Sequence, residues 1–416
     1  MQKRVVITGQ GIVAPGGQNV HDFWNNILSG QSQIKPITRF PAAEIPVAVA
    51  GMVEDFDPLK HAISRQFRAQ TDVVSQYAFV ATKEALLDAA LDPKNMGDPH
   101  LIGFQFGNNM GGSEFGEKEL AKMYTAKDPG AIGPYQAIAW FYAATQGQIT
   151  ISYDMRGYGK TFVTECVASF DALNAGYRLI RNGVLNISLC GGGEAGIAPY
   201  GLVCYHASGW LSTSDGPPES VYRPLDRKAT GMVMAEGSAM VVLEDLEHAQ
   251  ARGTRILAEV LGFGATMDAS HMMKPSTDPG HYARAIREAL ASARLSEEEI
   301  DLVSPAGLGN VEYDRSEIEA LMLALGPAAG RPFVSVPKSA TGHGIAAAGA
   351  IDLVFALKAM QQEIIAPTLN LEEPVIQSPL RFVGQKPQPA QVRTALLLGR
   401  GMGGANRAMI IRRWEP

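Results

Sequence analysis

The stretch TFVTECVASFDALNAGYRLIRNG, residues 161–183, reads as an apolar strand that ends near Cys166 and turns directly into a helix. In that helix Val167, Phe170, Leu173, Tyr177 and Ile180 recur at spacings of three and four, a single apolar stripe that asks for a core. The pattern returns in residues 332–360, PFVSVPKSATGHGIAAAGAIDLVFALKAM. Working outward, KRVVITGQGIVAP (3–15) and TRILAEVLGFGATM (254–267) each read as a strand and a glycine turn. Each is followed by a helical segment (71–91 and 280–295) and a buried strand (100–108 and 300–308). Long β runs close both copies, GSAMVVLEDL in the first and RTALLLGRGMGGANRAMIIRR in the second. The chain is therefore expected to be two pseudo-repeated halves, residues 1–250 and 251–416, forming an α/β protein with two stacked mixed sheets and helices between and outside them.

Composition narrows the functional classes. The 416 residues are 46% hydrophobic and 19% charged, enough apolar material for an extensive core. A net charge of -6 and the lack of a lysine or arginine cluster argue against nucleic acid as a partner. The opening MQKRVVITGQGIV breaks at Gly9 and Gly11, too short an apolar run for a signal peptide or a membrane span, so a cytoplasmic protein without membrane contact is expected. Three cysteines, Cys166, Cys190 and Cys204, have neither metal-ligand spacing nor the density of a disulfide framework.

A cysteine at a helix N-terminus can be held as a thiolate by backbone N–H groups. It can equally be a small buried apolar residue. Glu165 would raise the thiol pKa if its carboxylate faced the same way, but successive strand side chains face opposite ways. Two nucleotide-like motifs fail on context. Gly399, Gly401 and Gly404 fit GxGxxG but lead into a strand, and Gly159, Lys160 and Thr161 would need a glycine where Asp154 stands.

TECVAS (164–169), PKSATGHGIAAAGAID (337–352) and GRGMGGAN (399–406), in this order, resemble the β-ketoacyl synthase family of the thiolase fold over nearly the whole chain. The resemblance implies a five-layered αβαβα sandwich in which Cys166 stands at the nucleophile position, Lys338 at the family's lysine and His343 at its second histidine. It further implies a gating loop of Gly401, Met402 and Gly403, with the N–H groups of Cys166 and Met402 as the oxyanion hole, and Lys338 held by carboxylates among Asp314, Glu317 and Asp352. The family's first histidine belongs to an HGTGT-like motif, and the matching segment VSPAGLGNVEYDRSE (303–317) has Ala306 in its place. Loss of one positioned acid-base group typically costs about 10²- to 10⁴-fold.

GGSEFGEKELAKMY (111–124), GPYQAIAWFYAATQGQI (133–149) and NVEYDRSEIEAL (310–321) resemble more narrowly the chain-length factor of type II polyketide synthases. That subunit pairs with a catalytic ketosynthase and shapes the tunnel for the growing chain. Its nucleophile position is usually glutamine, so Cys166 departs from the pattern, as do the retained Lys338 and His343. The resemblance implies a ketosynthase partner in a heterodimer, an acyl carrier protein bringing phosphopantetheine, and no cofactor or metal of the chain's own. Met110, Phe115, Met123, Tyr135, Trp140, Phe141 and Tyr142 are expected at the interface or tunnel, the alternative being an amphipathic helix packed on its own core. Three readings stay open: the non-condensing partner, a condensing enzyme that holds an acyl group on Cys166, and a thiolase-fold acyltransferase or hydrolase without decarboxylation.

Overall fold

The computed structural model describes residues 2–41, 45–92 and 95–415. In the first half the principal strands are β1 (Val5–Val13), β2 (Ile102–Gly107), β3 (Gly159–Phe162), β4 (Ile187–Glu194) and β5 (Gly237–Asp245). In the second they are β6 (Ala258–Met267), β7 (Leu302–Ser304), β8 (Phe333–Val334), β9 (Thr394–Gly401) and β10 (Ala405–Arg413). Helices α1 (Val73–Asp88), α3 (Ala168–Arg181), α4 (Gly280–Ala293), α5 (Val311–Leu325) and α6 (Ala348–Gln362) build the layers around these strands, while α2 (Ser113–Ala126) packs against the turns that follow it, Pro129–Ala131 and Gln136–Ala139.

The strand orders are β3-β2-β4-β5-β1 and β8-β7-β9-β10-β6, so both halves place their strands in the order third, second, fourth, fifth, first. Pairing agrees as well: the third, second and fourth strands run parallel, and the fifth is antiparallel to its neighbours. The two sheets are not merely stacked. Val5–Ile7 of β1 pairs antiparallel with Ala258–Val260 of β6, giving both first strands a partner along a margin that would otherwise expose N–H and C=O groups.

Burial separates the layers. Helices α3 and α6 lie in the middle, where Phe170, Leu173, Tyr177 and Ile180 meet Leu353, Val354, Phe355 and Met360 between the sheets. Helix α1 covers the outer face of the first sheet, and α4 and α5 cover that of the second. This is the αβαβα order expected from the resemblance. The stripe of α3 packs as predicted, although Val167 sits in a 3₁₀ turn (Glu165–Val167) ahead of the α-helix proper.

The paired glycines of β1 and β6 correct the sequence reading. They do not make turns but lie within the strands, because an outer helix passes too close for any side chain. A Cβ on Gly11 would stand 2.1 Å from the Ala81 carbonyl oxygen of α1, and one on Gly264 would stand 1.9 Å from that of Ala285 in α4. The repeat thus records two equivalent helix-on-strand contacts. Strand β4 was not anticipated from the sequence, since its Gly191, Gly192 and Gly193 lower β-propensity while the packing requires them.

Candidate active site

The two central helices enter the middle layer through matching 3₁₀ turns, Glu165–Val167 before α3 and Ile345–Ala347 before α6. Each turn opens on a non-glycine residue in the left-handed region, Glu165 at φ 58° and Ile345 at φ 48°. Such conformations cost about 1–3 kcal/mol and persist only where the surroundings enforce them. The turns bring Cys166 and His343 together: Sγ lies 3.8 Å from Nδ1, and both residues are buried. His343 Nδ1 accepts the Ile345 N–H at 3.1 Å, which places the proton of the neutral ring on Nε2. Burial, aided by the Lys338 charge, holds the imidazole well below its usual range.

Lys338 stands at the start of a short helix (Lys338–Thr341), with its ammonium on Asp352 Oδ2 at 2.6 Å, the Pro305 carbonyl at 2.9 Å and the Ala306 carbonyl at 3.1 Å. Of the three carboxylates expected around it, only Asp352 bonds to the ammonium. Glu317 receives the N–H groups of Ala306 at 2.8 Å and Gly307 at 3.0 Å, with the Tyr282 hydroxyl at 2.9 Å. Asp314 Oδ2 accepts the Leu225 N–H at 2.7 Å. Glu317 and Lys338 therefore hold Ala306 through its backbone N–H and C=O, and its side chain is a buried methyl.

Glu165 differs most from expectation. Because it occupies a left-handed turn rather than a strand, its carboxylate faces the same way as the thiol. Cys166 Sγ donates to Oε1 at 2.8 Å, as does the Tyr205 hydroxyl at 3.1 Å, and Asn109 donates to that hydroxyl at 2.9 Å. Oε2 takes the Met402 N–H at 3.0 Å, and the Cys166 N–H also donates to the carboxylate. The two backbone donors expected to form an oxyanion hole are thus engaged by a residue of the chain itself. Burial, with the adjacent carboxylate, pushes the Cys166 thiol well above its ordinary range, opposite to the helix-end stabilisation that the sequence suggested.

Gly401, Met402 and Gly403 form the turn between β9 and β10, and Gly403 has φ 72°. Arg400, just before that turn, is a buried guanidinium that sequence reasoning passed over. It bonds to Ser316 of α5, the Ser276 carbonyl and Asp268, and lies 5.2 Å from the Tyr282 ring centroid. Tyr205, Asn109 and Glu194 were also missed, since they come from segments with no local motif. Glu194, at the end of β4, accepts the N–H groups of Asn109 and Met110 and is pushed up to about 8 by burial.

The aromatic segment divides. Met110 packs into the apolar cluster around Cys166, and Phe115 and Met123 are half-buried. Tyr135, Trp140, Phe141 and Tyr142 instead lie at the surface, Phe141 with 53% of its area exposed, together with Leu120, Tyr124, Tyr200 and Val203. Among the described residues no helix is long and apolar enough to cross a membrane.

Several buried carboxyls are raised by desolvation, Asp72 and Glu84 to about 7, Asp314 to about 8 and Asp352 to about 6. With Glu194, each lies above the unfolded carboxyl range near 4. The folded chain therefore binds more protons, and the stability this contributes is full below about pH 4 and lost progressively as pH rises through the folded values of about 6 to 8. His343 is neutral when folded and about half-protonated when unfolded at pH 6.5, so it opposes the trend above that pH only by a few tenths of a kcal/mol. Thermal unfolding at pH 8.5 should show a midpoint at least about 5 °C below that at pH 6.5. An unchanged or higher midpoint would mean that these carboxyls are not raised.

Residues 2–249 match the family pattern described as Beta-ketoacyl synthase, N-terminal domain, and residues 257–372 match Beta-ketoacyl synthase, C-terminal domain. The chain is 39% identical over 411 residues to the tetracenomycin polyketide synthase ketoacyl synthase beta subunit of Streptomyces glaucescens, covering 98% of each chain. Its structure superposes on the ishigamide ketosynthase/chain length factor with a TM-score of 0.92, at 30% identity and with full coverage of both chains. The TM-score is also 0.92, at 27% identity and full coverage, for a type II polyketide ketosynthase in complex with its acyl-carrier protein and bound to a hexaketide.

Proposed function

Since the chain belongs to the β-ketoacyl synthase family and is a relative of type II polyketide ketosynthase subunits, we propose that it is a chain-length-factor-like subunit, one that pairs with a catalytic ketosynthase and shapes the tunnel in which the polyketide grows. The carrying observation is Ala306. Glu317 accepts its N–H and Lys338 donates to its C=O, yet its side chain is a methyl that cannot polarise a thioester or assist loss of carbon dioxide. Met110, Phe115, Tyr135, Trp140 and Phe141 are assigned to the partner interface and tunnel in this reading. The surface aromatics among them are residue types that interfaces concentrate and that solvent-facing surfaces rarely cluster.

Carrier protein enters as the source of the acyl and malonyl thioesters, with phosphopantetheine as its own group. The assembled pair would work as a polyketide synthase condensing unit, with Cys166, His343 and Lys338 as a partial site in this subunit. Co-expression with a ketosynthase that has a complete Cys/His/His set should yield a stable 1:1 complex by size-exclusion chromatography and native mass spectrometry. Recovery of this chain only as a monomer or homodimer would count against the proposal.

A second reading, a condensing enzyme with the acyl group on Cys166, draws support from the 3.8 Å approach of Cys166 to His343 and from the retained Lys338. It requires that the chain alone release carbon dioxide from malonyl carrier protein at a rate dependent on His343. A rate equal to the buffer blank removes it.

A further inference from the structure

Three features of the Glu165 turn point the same way. The carboxylate takes the donors of Met402 and Cys166 at a distance suited to an oxyanion, 3.0 Å for Met402. Its other oxygen draws the thiol proton of Cys166 at 2.8 Å, while the imidazole nitrogen that approaches the sulfur, His343 Nδ1, already accepts the Ile345 N–H. Gly401 leaves room for the group, since a Cβ there would stand 3.0 Å from Glu165 Oε2. The Tyr205 hydroxyl donates to the same Oε1 at 3.1 Å, and Asn109 donates in turn to that hydroxyl. Burial raises the Glu165 carboxyl, but the groups bonded to it are all donors and work against that rise, so the arrangement favours a carboxylate that the chain itself provides.

We propose that Glu165 is a built-in plug of the site: its carboxylate fills the anion-binding donors of Cys166 and Met402 and ties up the Cys166 thiol, and the carbonyl oxygen of an incoming acyl thioester must displace it before Cys166 can react. With the plug withdrawn, Cys166 takes part in ordinary thioester exchange. A bond forms between its sulfur and the acyl carbon, the bond from that carbon to the donor thiol breaks, and the Cys166 proton leaves on the donor sulfur. The masked nucleophile explains why a cysteine is retained beside Ala306 without requiring that it turn over. The inference concerns the chain's own thiol and stands whether or not the chain pairs with a ketosynthase.

Alkylation read by peptide mass spectrometry tests it, with exposed Cys204 as the internal reference in the same molecule. Iodoacetamide and iodoacetate are compared on the native chain, on Glu165→Gln, which keeps the volume, and on Glu165→Gly, which suits the left-handed backbone. A glutamine has one acceptor oxygen and presents its NH₂ to N–H donors, so it cannot fill the site as a carboxylate does.

Both variants should raise the Cys166 rate relative to Cys204 by about tenfold or more, the equivalent of one pKa unit. The iodoacetate to iodoacetamide ratio should also rise, because the freed N–H groups attract a carboxylate reagent. Equal rates and an unchanged ratio in folded variants overturn the proposal. So does a rise for both reagents alike in Glu165→Gly alone, which would signify opened access rather than a vacated anion site. Should neither variant fold, Tyr205→Phe removes one donor from the plug, and its Cys166 rate must then rise several-fold. No change in that variant overturns the proposal equally.

Discussion

Lys338→Met is expected to destabilise the fold by about 3–5 kcal/mol, the usual consequence of breaking a buried ion pair from one side. The substitution strands the buried Asp352 carboxylate, whose Oδ2 is held by the ammonium, and removes a donor from the Pro305 and Ala306 carbonyls. Asp352 can soften the loss by taking up a proton, since it already lies at about 6 beside the lysine and would rise further without it. The deficit should therefore be larger at pH 8 than at pH 5, as read from urea unfolding midpoints. In Lys338→Met/Asp352→Leu much of the loss should return, because an apolar pair of similar volume removes the uncompensated charge. A Lys338→Met chain as stable as the parent at pH 8 would show that the pair does not hold the Ala306 segment.

Arg400→Met is expected to cost about 3 kcal/mol or more, and its effect should be local as well as global. The guanidinium joins four segments: the strand before the Met402 turn, the loop from Asp268 to Ser276, α5 through Ser316 and α4 through the Tyr282 face. Asp268 keeps donors from Asn406 and Ser276, so the loss falls mainly on the loop and on the turn bonded to it through the Gly404 carbonyl. Limited proteolysis between residues 268 and 276 should accelerate in the variant. Arg400→Lys should not rescue it, because one ammonium cannot serve partners spread around a planar fork. Unchanged cleavage would mean that the loop is held by its backbone contacts alone.

The elements with strong periodicity were legible in the sequence. The stripe of α3, the repeat of strand, helix and strand in each half, and the glycine-broken hairpin of β9 and β10 all correspond to elements of the fold. What misled was glycine, which marks both turns and tight packing. The pairs in β1 and β6 belong to the second kind, and only the position of α1 and α4 reveals it.

At the site, motif order brought Cys166, His343, Lys338 and Met402 into one neighbourhood, because the two pseudo-equivalent turns recur in the chain. Distance in sequence hid the rest. Three nearby carboxylates were equally plausible partners for Lys338, and Asp352 was distinguished only by its place one helical layer away on α6. Glu165 was misjudged because strand alternation does not govern a residue at φ 58°. Tyr205, on a helix of its own 39 residues beyond Cys166 by number, had no signal at all.

We propose that this chain supports another subunit's nucleophile rather than using its own. The most direct test is polyketide output from the co-assembled complex in which only this chain carries Cys166→Ala, measured beside the same complex with the native chain. Output within about twofold of the native complex is expected, since a factor of two is only a few tenths of a kcal/mol. A collapse of output by two orders of magnitude or more, with the complex still intact, would contradict the proposal and place an obligatory acyl group on Cys166.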